Sequence, residues 1–171
     1  MQQPGIKKYI NVYLCLGSNV GNREENIRLA IKGINQEIGK IARQSSFYET
    51  QAWGKTDQDP FYNMVVMANT TMDPRDLLTA IAKIEREIGR ERKEKEKWGP
   101  RVIDIDILFY GKRIIRDKGL EIPHPELHLR NFVLVPMMEI APEFEHPVLQ
   151  QAMDVLYMAS KDPSDVVMLE K

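Results

Sequence analysis

Short hydrophobic runs bounded by turn-forming residues predict four β-strands. The runs are rich in Val, Ile, Leu, Tyr and Phe, and Gly, Pro, Asn and Asp separate them, as in strands joined by loops. The predicted strands cover residues 9–16, 41–50, 63–71 and 102–110. The loop between the second and third strands, residues 51–60, is long for a hairpin, so it is a candidate binding loop.

Two other segments have apolar residues at the three- and four-residue spacing of an amphipathic helix. The first covers residues 23–38 and follows Asn22, a favoured N-cap residue. The second begins after Asp73, with a proline at its first position, and ends at Gly89. The order βαββαβ predicts an α+β, ferredoxin-like fold with an antiparallel sheet and both helices on one face. The other face would remain free for a site.

The rest of the chain predicts an edge hairpin and a helical tail. The hairpin pairs residues 114–115 with residues 120–122, and an apolar helix lies near residues 149–158. No repeat or linker interrupts the pattern. We therefore expect a single domain over residues 1–171.

Composition and charge narrow the class of protein. The chain has 171 residues, 43% hydrophobic and 29% charged, as in globular proteins. No apolar run approaches the roughly 20 residues that span a bilayer, and residues 1–8 lack the apolar core of a signal peptide, which predicts a cytoplasmic protein. The net charge of −1 gives no overall attraction to nucleic acid. The single cysteine, Cys15, lies between two leucines, which predicts strand packing rather than catalysis.

Two acidic residues, Asp104 and Asp106, lie on the fourth predicted strand. Because side chains alternate across a strand, they share a face, with α-carbons about 6.6–6.8 Å apart. Alternation puts Arg101, Ile103, Ile105, Ile107 and Phe109 on one face and Val102, Asp104, Asp106, Leu108 and Tyr110 on the other. Two carboxylates without histidine favour Mg²⁺ over zinc. The alternative is a solvent-exposed strand face, but the repulsion between the two charges favours a bound cation.

A basic segment, residues 90–101, precedes these aspartates. It has six Lys or Arg residues against three Glu. Arginine forks pair with phosphate oxygens, so the segment predicts a triphosphate site. Trp98 is followed by a Gly-Pro turn, where it would act as a lid that excludes water. The alternatives are a solvated helix end for the charges and a core position for the tryptophan.

These residues resemble the signature of a known enzyme family. Arg90-x-Arg92 followed by Trp98-Gly-Pro-Arg-Val-Ile-Asp-Ile-Asp106 is closely similar to the signature of 6-hydroxymethyl-7,8-dihydropterin pyrophosphokinases of folate biosynthesis. The similarity covers residues 9–147 and includes Leu16-Gly-Ser-Asn19, Ser45-Ser-Phe-Tyr-Glu-Thr50, Phe61-Tyr-Asn63, Pro123-His124 and Arg130-Asn-Phe132. It implies a monomeric, ferredoxin-like enzyme that uses two Mg²⁺ ions, ATP and the pterin, and that releases AMP.

The resemblance also implies a role for each matching residue. Asp104 and Asp106 would hold both metal ions, with Arg90 and Arg101 as catalytic arginines. ATP would contact Arg92, Trp98, Arg101, His124 and Arg130. The pterin would contact Thr50, Gln51, Trp53, Phe61, Asn63, Trp98 and Phe132, with the two phenylalanines stacking on its rings. Glu85 matches a carboxylate that the family keeps near the site.

The sequence departs from the family pattern at several positions, and two other functions remain as alternatives. Gln51 and Trp53 replace smaller apolar residues or proline, Pro125 stands where an aromatic is common, and the segment before Trp98 is one residue longer. An RNA-binding module is one alternative, because ferredoxin-like sheets also stack RNA bases, but this sheet lacks an evident aromatic run. A metal-dependent nucleotidyl transferase is the other, and it leaves the pterin slot unexplained. We expect no nucleic-acid or membrane partner.

Overall fold

The structure is a computed structural model that describes residues 5–52, 57–90 and 99–170. Within these ranges, a six-stranded antiparallel sheet has the order β5-β1-β4-β3-β8, and β2 also pairs with β4. Its strands are β1 (Ile10–Ser18), β2 (Gly39–Gln44), β3 (Tyr48–Thr50), β4 (Phe61–Thr70), β5 (Asp104–Tyr110) and β8 (Val166–Met168). The predicted hairpin is present as β6 (Ile115–Asp117) and β7 (Leu120–Ile122), which form a small sheet of their own. The predicted α+β class is confirmed.

The second predicted strand is split into β2 and β3. Ser45 lies between them and keeps contact with the neighbouring strand through its side chain. Its backbone N–H donates to the Val65 carbonyl (2.9 Å), and its hydroxyl accepts from the Val65 N–H (3.0 Å). A hydroxyl therefore takes the place of a backbone carbonyl in the ladder, which lets the chain change direction without leaving the Val65 N–H unpaired.

Both predicted helices are confirmed. Helix α1 covers Arg23–Glu37, and the Asn22 side chain accepts from the Glu25 N–H (3.1 Å). Helix α2 covers Pro74–Ile88, with Asp73 as its N-cap and Gly89 in the left-handed region at its end (φ +111°). Both helices pack on one face of the sheet, where the buried cluster includes Leu14, Leu16, Ile27, Ile34, Met64, Leu77, Ile81 and Ile84.

The prediction that the opposite face is free is wrong for most of that face. Two helices cover it, α3 (Asn131–Ile140) and α4 (Met153–Met158), and bury a second cluster that includes Tyr13, Val65, Phe109, Leu134, Met137 and Leu156. Helix α3 is apolar on nearly every side and contains Pro136, so it has neither an amphipathic period nor a helix-favouring composition. Helix α4 is shorter than predicted.

Strict alternation along β5 fails after Ile107. Tyr13 pairs with Phe109 and Leu14 pairs with Ile107, so Leu108 is the extra residue of a β-bulge. The bulge moves Phe109 into the cluster under α3 and Tyr110 into the cluster under α1 and α2, the reverse of the prediction for these two residues. From Ile103 to Ile107 the predicted alternation is correct, because Ile103, Ile105 and Ile107 are in the α1 and α2 cluster. The prediction that Arg101 shares their face is wrong, because Arg101 precedes the strand and lines a cavity together with Asp104 and Asp106.

Among the described residues, we find no helix with the length and apolar character needed to cross a bilayer.

Candidate active site

A cavity of about 390 Å³ opens where β1, β4 and β5 meet the start of α3. Every predicted site residue within the described ranges lines it. The lining residues are Cys15, Gly17, Thr50, Gln51, Phe61, Asn63, Arg90, Gly99, Arg101, Asp104, Asp106, His124, Pro125, Glu126, Arg130 and Phe132. Arg92, Trp98 and Trp53 lie outside the described residues, so the predicted lid stays a prediction.

Two carboxylates form the acidic centre of the cavity. Burial raises the pKa of Asp106, and the negative charge of Asp104 raises it further, while Arg130, Arg90 and Arg101 act in the opposite direction. The ionised pair is therefore unfavourable in the folded protein despite three nearby arginines. A site that concentrates negative charge at such a cost is suited to a cation with oxygen ligands.

Arg90 joins the end of α2 to the start of β5. The left-handed Gly89 turns the chain so that the Arg90 N–H donates to the Glu85 carbonyl (3.0 Å). The Arg90 guanidinium forms an ion pair with the Glu85 carboxylate and a second one with Asp104, in which Nη1 lies 2.8 Å from Oδ1. Glu85 is 3% exposed. A buried carboxylate on α2 therefore holds the arginine beside the acidic centre, a contact that the sequence alone does not reveal.

Asn19 fixes the backbone of Arg101. Its N–H donates to the Arg101 carbonyl (3.0 Å), and its Oδ1 accepts from the Arg101 N–H (2.7 Å). Its Nδ2 donates to the Asp59 carbonyl (3.1 Å) and to the Gln58 Oε1 (3.2 Å). From the sequence, Asn19 is predicted only to lie in a turn and to match a residue of the family signature. The structure shows it joining three segments, because its buried amide uses both its donors and its acceptor.

A second part of the cavity is aromatic and amide-lined. Phe61 and Asn63 are on β4, Thr50 is on β3 and Phe132 is in the first turn of α3. Asn63 is 4% exposed, and its Nδ2 donates to the Thr50 Oγ1 (2.9 Å). This bond fixes the amide orientation. Gly17 on β1 leaves room for it, since a Cβ there would lie 2.9 Å from the Asn63 Oδ1.

His124 and Arg130 add hydrogen-bond donors to the lining of the cavity. The His124 N–H donates to the Leu108 carbonyl at the bulge (3.0 Å), and its Nδ1 accepts from the Glu126 N–H (3.2 Å). Burial lowers the pKa of His124, and Arg130 lowers it further. The imidazole is therefore neutral with its proton on Nε2, which makes it a donor. Arg130 pairs with Glu126, and its guanidinium lies 5.6 Å from the Phe132 ring centre.

Cys15 lies on the cavity floor beside Asp106, with which it pairs across the sheet. It is 4% exposed. Burial raises the pKa of its thiol, and the two aspartates raise it further. The thiolate is therefore disfavoured, in agreement with the prediction of a packing role.

Comparisons with known proteins agree with this geometry. Residues 13–142 match the family model described as 7,8-dihydro-6-hydroxymethylpterin-pyrophosphokinase, or HPPK. The chain is 47% identical over 140 residues to 2-amino-4-hydroxy-6-hydroxymethyldihydropteridine pyrophosphokinase of Aquifex aeolicus, covering 82% of this chain and 86% of that protein. It is 40% identical over 134 residues to the Bacillus subtilis protein of the same name, covering 78% and 79%.

A solved structure shows the same fold. The chain resembles an HPPK-DHPS triple mutant of Plasmodium falciparum with a TM-score of 0.76 and 21% identity, covering 91% of this chain and 45% of that longer chain. The chain therefore has a small α+β fold, and its cavity combines charged side chains with an aromatic slot. The chain belongs to the HPPK family.

Proposed function

We propose that this protein transfers the pyrophosphoryl group of ATP to 6-hydroxymethyl-7,8-dihydropterin, giving AMP and the pterin diphosphate in folate biosynthesis. Family membership supports the reaction. The observation that carries the residue roles is that two aspartates, three arginines and two phenylalanines line one cavity. Its arginines and aspartates fit a polyphosphate with bound cations, and its two phenylalanines and Asn63 fit a flat heterocycle with a hydrogen-bonding edge. The cavity therefore fits a transfer between two bound substrates.

Asp104 and Asp106 would hold two Mg²⁺ ions. Their oxygen-only donor set and the raised pKa of Asp106 fit a hard divalent cation. Bound Mg²⁺ would neutralise charge on the phosphate oxygens as the β-phosphorus is attacked. In this structure, Arg90 forms one ion pair with Asp104 and another with Glu85. It can therefore exchange Asp104 for a phosphate oxygen and remain anchored.

Four donors would orient the phosphates of ATP: Arg90, Arg101, Arg130 and His124. The arginines form paired hydrogen bonds with phosphate oxygens, and the neutral His124 donates from Nε2. Charges that are already held in place, such as those of Arg90 and Arg130, need little rearrangement when negative charge develops at the leaving AMP. These residues therefore orient the donor and stabilise the transition state.

The aromatic region would bind the pterin. Phe61 and Phe132 would stack on its two faces, and Asn63 would read its amide-like edge with the side chain that Thr50 orients. Gln51 lines the same end of the cavity. The roles of Arg92, Trp98 and Trp53 rest on the family resemblance alone. A single-domain monomer acting in the cytoplasm, without a nucleic-acid or membrane partner, belongs to the same proposal and rests on the sequence expectations.

The assay that tests this function measures both products. Purified protein with MgATP and 6-hydroxymethyl-7,8-dihydropterin should form AMP and the pterin diphosphate in equal amounts, because a single displacement at the β-phosphorus yields one of each. Chromatography separates AMP from ADP. Formation of ADP would instead indicate transfer of a single phosphoryl group, and the absence of turnover with this pterin would refute the proposed substrate.

Gly17→Ala should weaken pterin binding specifically. Its Cβ would lie 2.9 Å from the Asn63 Oδ1 and 3.6 Å from the Phe61 Cδ1, so the amide must move away from the orientation that Thr50 fixes. Losing one well-oriented hydrogen bond predicts a rise of about tenfold in KM for the pterin. KM for ATP, measured on the same variant, is the internal control and should change by less than about twofold. An unchanged KM for the pterin would contradict the role of Asn63.

A further inference from the structure

The C-terminal segment, residues 160–169, contacts both walls of the aromatic slot. It lies beyond residues 13–142, which the family model matches. Asp162 contacts the first residue of α3, the helix that carries Phe132. Four residues later, β8 begins at Val166 and pairs with β3, which carries Thr50. One short segment therefore connects the start of α3 to the sheet edge beside it.

The start of α3 depends on Asp162 for its cap. The residue at its own N-cap position, Arg130, makes no capping hydrogen bond with its side chain. Instead, the Asp162 carboxylate accepts from the Asn131 N–H (2.8 Å), and the Asp162 carbonyl accepts from the Asn131 Nδ2 (3.1 Å). A carboxylate at a helix N-terminus satisfies a free N–H and interacts favourably with the helix dipole.

The Asp162 side chain is itself held in place. Its second oxygen accepts from the Ser164 N–H (2.9 Å), and the Asp162 N–H donates to the Ser160 hydroxyl (3.2 Å). On the other wall, Thr50 pairs with Val166, and the Leu169 N–H donates to the Phe47 carbonyl (2.9 Å). The carboxylate therefore has a fixed position relative to β3.

The far end of α3 has an independent attachment. The Glu139 carboxylate accepts from the Ser46 N–H (2.9 Å), from the Ser46 hydroxyl (2.7 Å) and from the Tyr48 hydroxyl (2.5 Å). Loss of Asp162 would therefore leave the helix docked and release only its first turn. That turn contains Phe132, which lines the cavity.

We propose that Asp162 is a positioning residue for the pterin slot, which it acts on by fixing the first turn of α3, and with it Phe132, at a set distance from β3. The inference rests on the proposed function, because it assigns Phe132 to the pterin. The first turn of α3 has less influence on the binding of ATP, because Arg130 is held by contacts outside that turn. The Arg130 guanidinium pairs with Glu126, and the Arg130 backbone N–H donates to the Leu127 carbonyl (3.3 Å).

The test compares Asp162→Ala with Asp165→Ala, an exposed aspartate in the same segment. Loss of the helix cap should raise KM for the pterin about fivefold. The turnover number at saturating pterin and KM for ATP should both stay within about twofold of wild type, because the acidic centre and Arg130 are held by other contacts. Asp165→Ala should match wild type in all three constants. Thermal unfolding of each variant sets an assay temperature at which all are folded.

Asp162→Asn provides the rescue. It keeps an oxygen that can accept from the Asn131 N–H, so its KM for the pterin should lie between those of wild type and Asp162→Ala. An unchanged KM for the pterin in Asp162→Ala, or an equal rise in both KM values, would overturn the inference, since either result indicates a purely structural role. Absence of AMP formation by the wild-type protein would instead refute the proposed function.

Discussion

Asp106→Asn should abolish pyrophosphoryl transfer and yet stabilise the metal-free protein. Loss of one of the two carboxylates proposed to hold Mg²⁺ should lower turnover by about a thousandfold or more. The same change removes a charge that burial and Asp104 make unfavourable in the folded state. Asparagine has the same shape without that charge. We therefore expect the free energy of unfolding at pH 8, in the presence of a chelator, to rise by about 1–2 kcal/mol.

The stability gain should depend on pH in a defined direction. Because folding raises the pKa of Asp106, the folded protein binds this proton more tightly than the unfolded chain. Its contribution to stability is complete below the unfolded pKa, about 3.9, and is lost as the pH rises through the folded value. The difference in free energy of unfolding between Asp106→Asn and wild type should thus be largest at pH 8 and should disappear as the pH falls towards about 4.

Urea unfolding across this pH range measures the effect, and Asp165→Asn is the control. Asp165 is an exposed aspartate outside the cavity, so its replacement should alter neither turnover nor the pH profile. Wild-type turnover in Asp106→Asn would refute the metal assignment. A variant less stable than wild type at pH 8 without metal would show that attraction to the arginines outweighs the repulsion between the aspartates.

The sequence predicts those parts of the fold that depend on local pattern. Helices α1 and α2 have both an apolar stripe and capping residues, so their positions are correct to within a residue or two. Helix α3 lacks a polar face and contains Pro136, so nothing periodic marks it. The bulge at Leu108 is also invisible, because it arises from pairing with β1 rather than from the composition of β5.

In the candidate site, too, the sequence predicts the features that depend on local pattern and misses those that depend on contacts in the folded protein. Strand alternation alone places Asp104 and Asp106 on one face, and the family resemblance supplies Phe61, Asn63 and Phe132. The contacts that orient these groups come from distant parts of the chain. Glu85 lies on α2, and Asn19 follows β1, so their contacts with Arg90 and Arg101 depend on how helix and loop ends meet in the folded protein. The spacing of residues along the sequence does not predict these contacts.

Arg90→Met should be severely destabilising as well as inactive. It removes the guanidinium that pairs with the Glu85 carboxylate, which is 3% exposed and cannot turn to water. Leaving one partner of a buried ion pair behind costs about 3–5 kcal/mol. Asp104 also loses its ion-pair contact with Arg90 (2.8 Å), so the repulsion at the acidic centre grows. Turnover should fall by about a hundredfold or more, because a donor aimed at the phosphates is lost.

The double variant Glu85→Gln/Arg90→Met separates the two effects. A neutral glutamine needs no counter-charge, so most of the lost free energy of unfolding should return, measured by urea unfolding. Turnover should stay low, since the arginine is still absent. Arg86→Met, an exposed arginine in the last turn of the same helix, should match wild type in both measurements. If the double variant recovers turnover together with stability, Arg90 acts only as a counter-ion for Glu85; if it recovers neither, the buried charge of Glu85 is not the source of the instability.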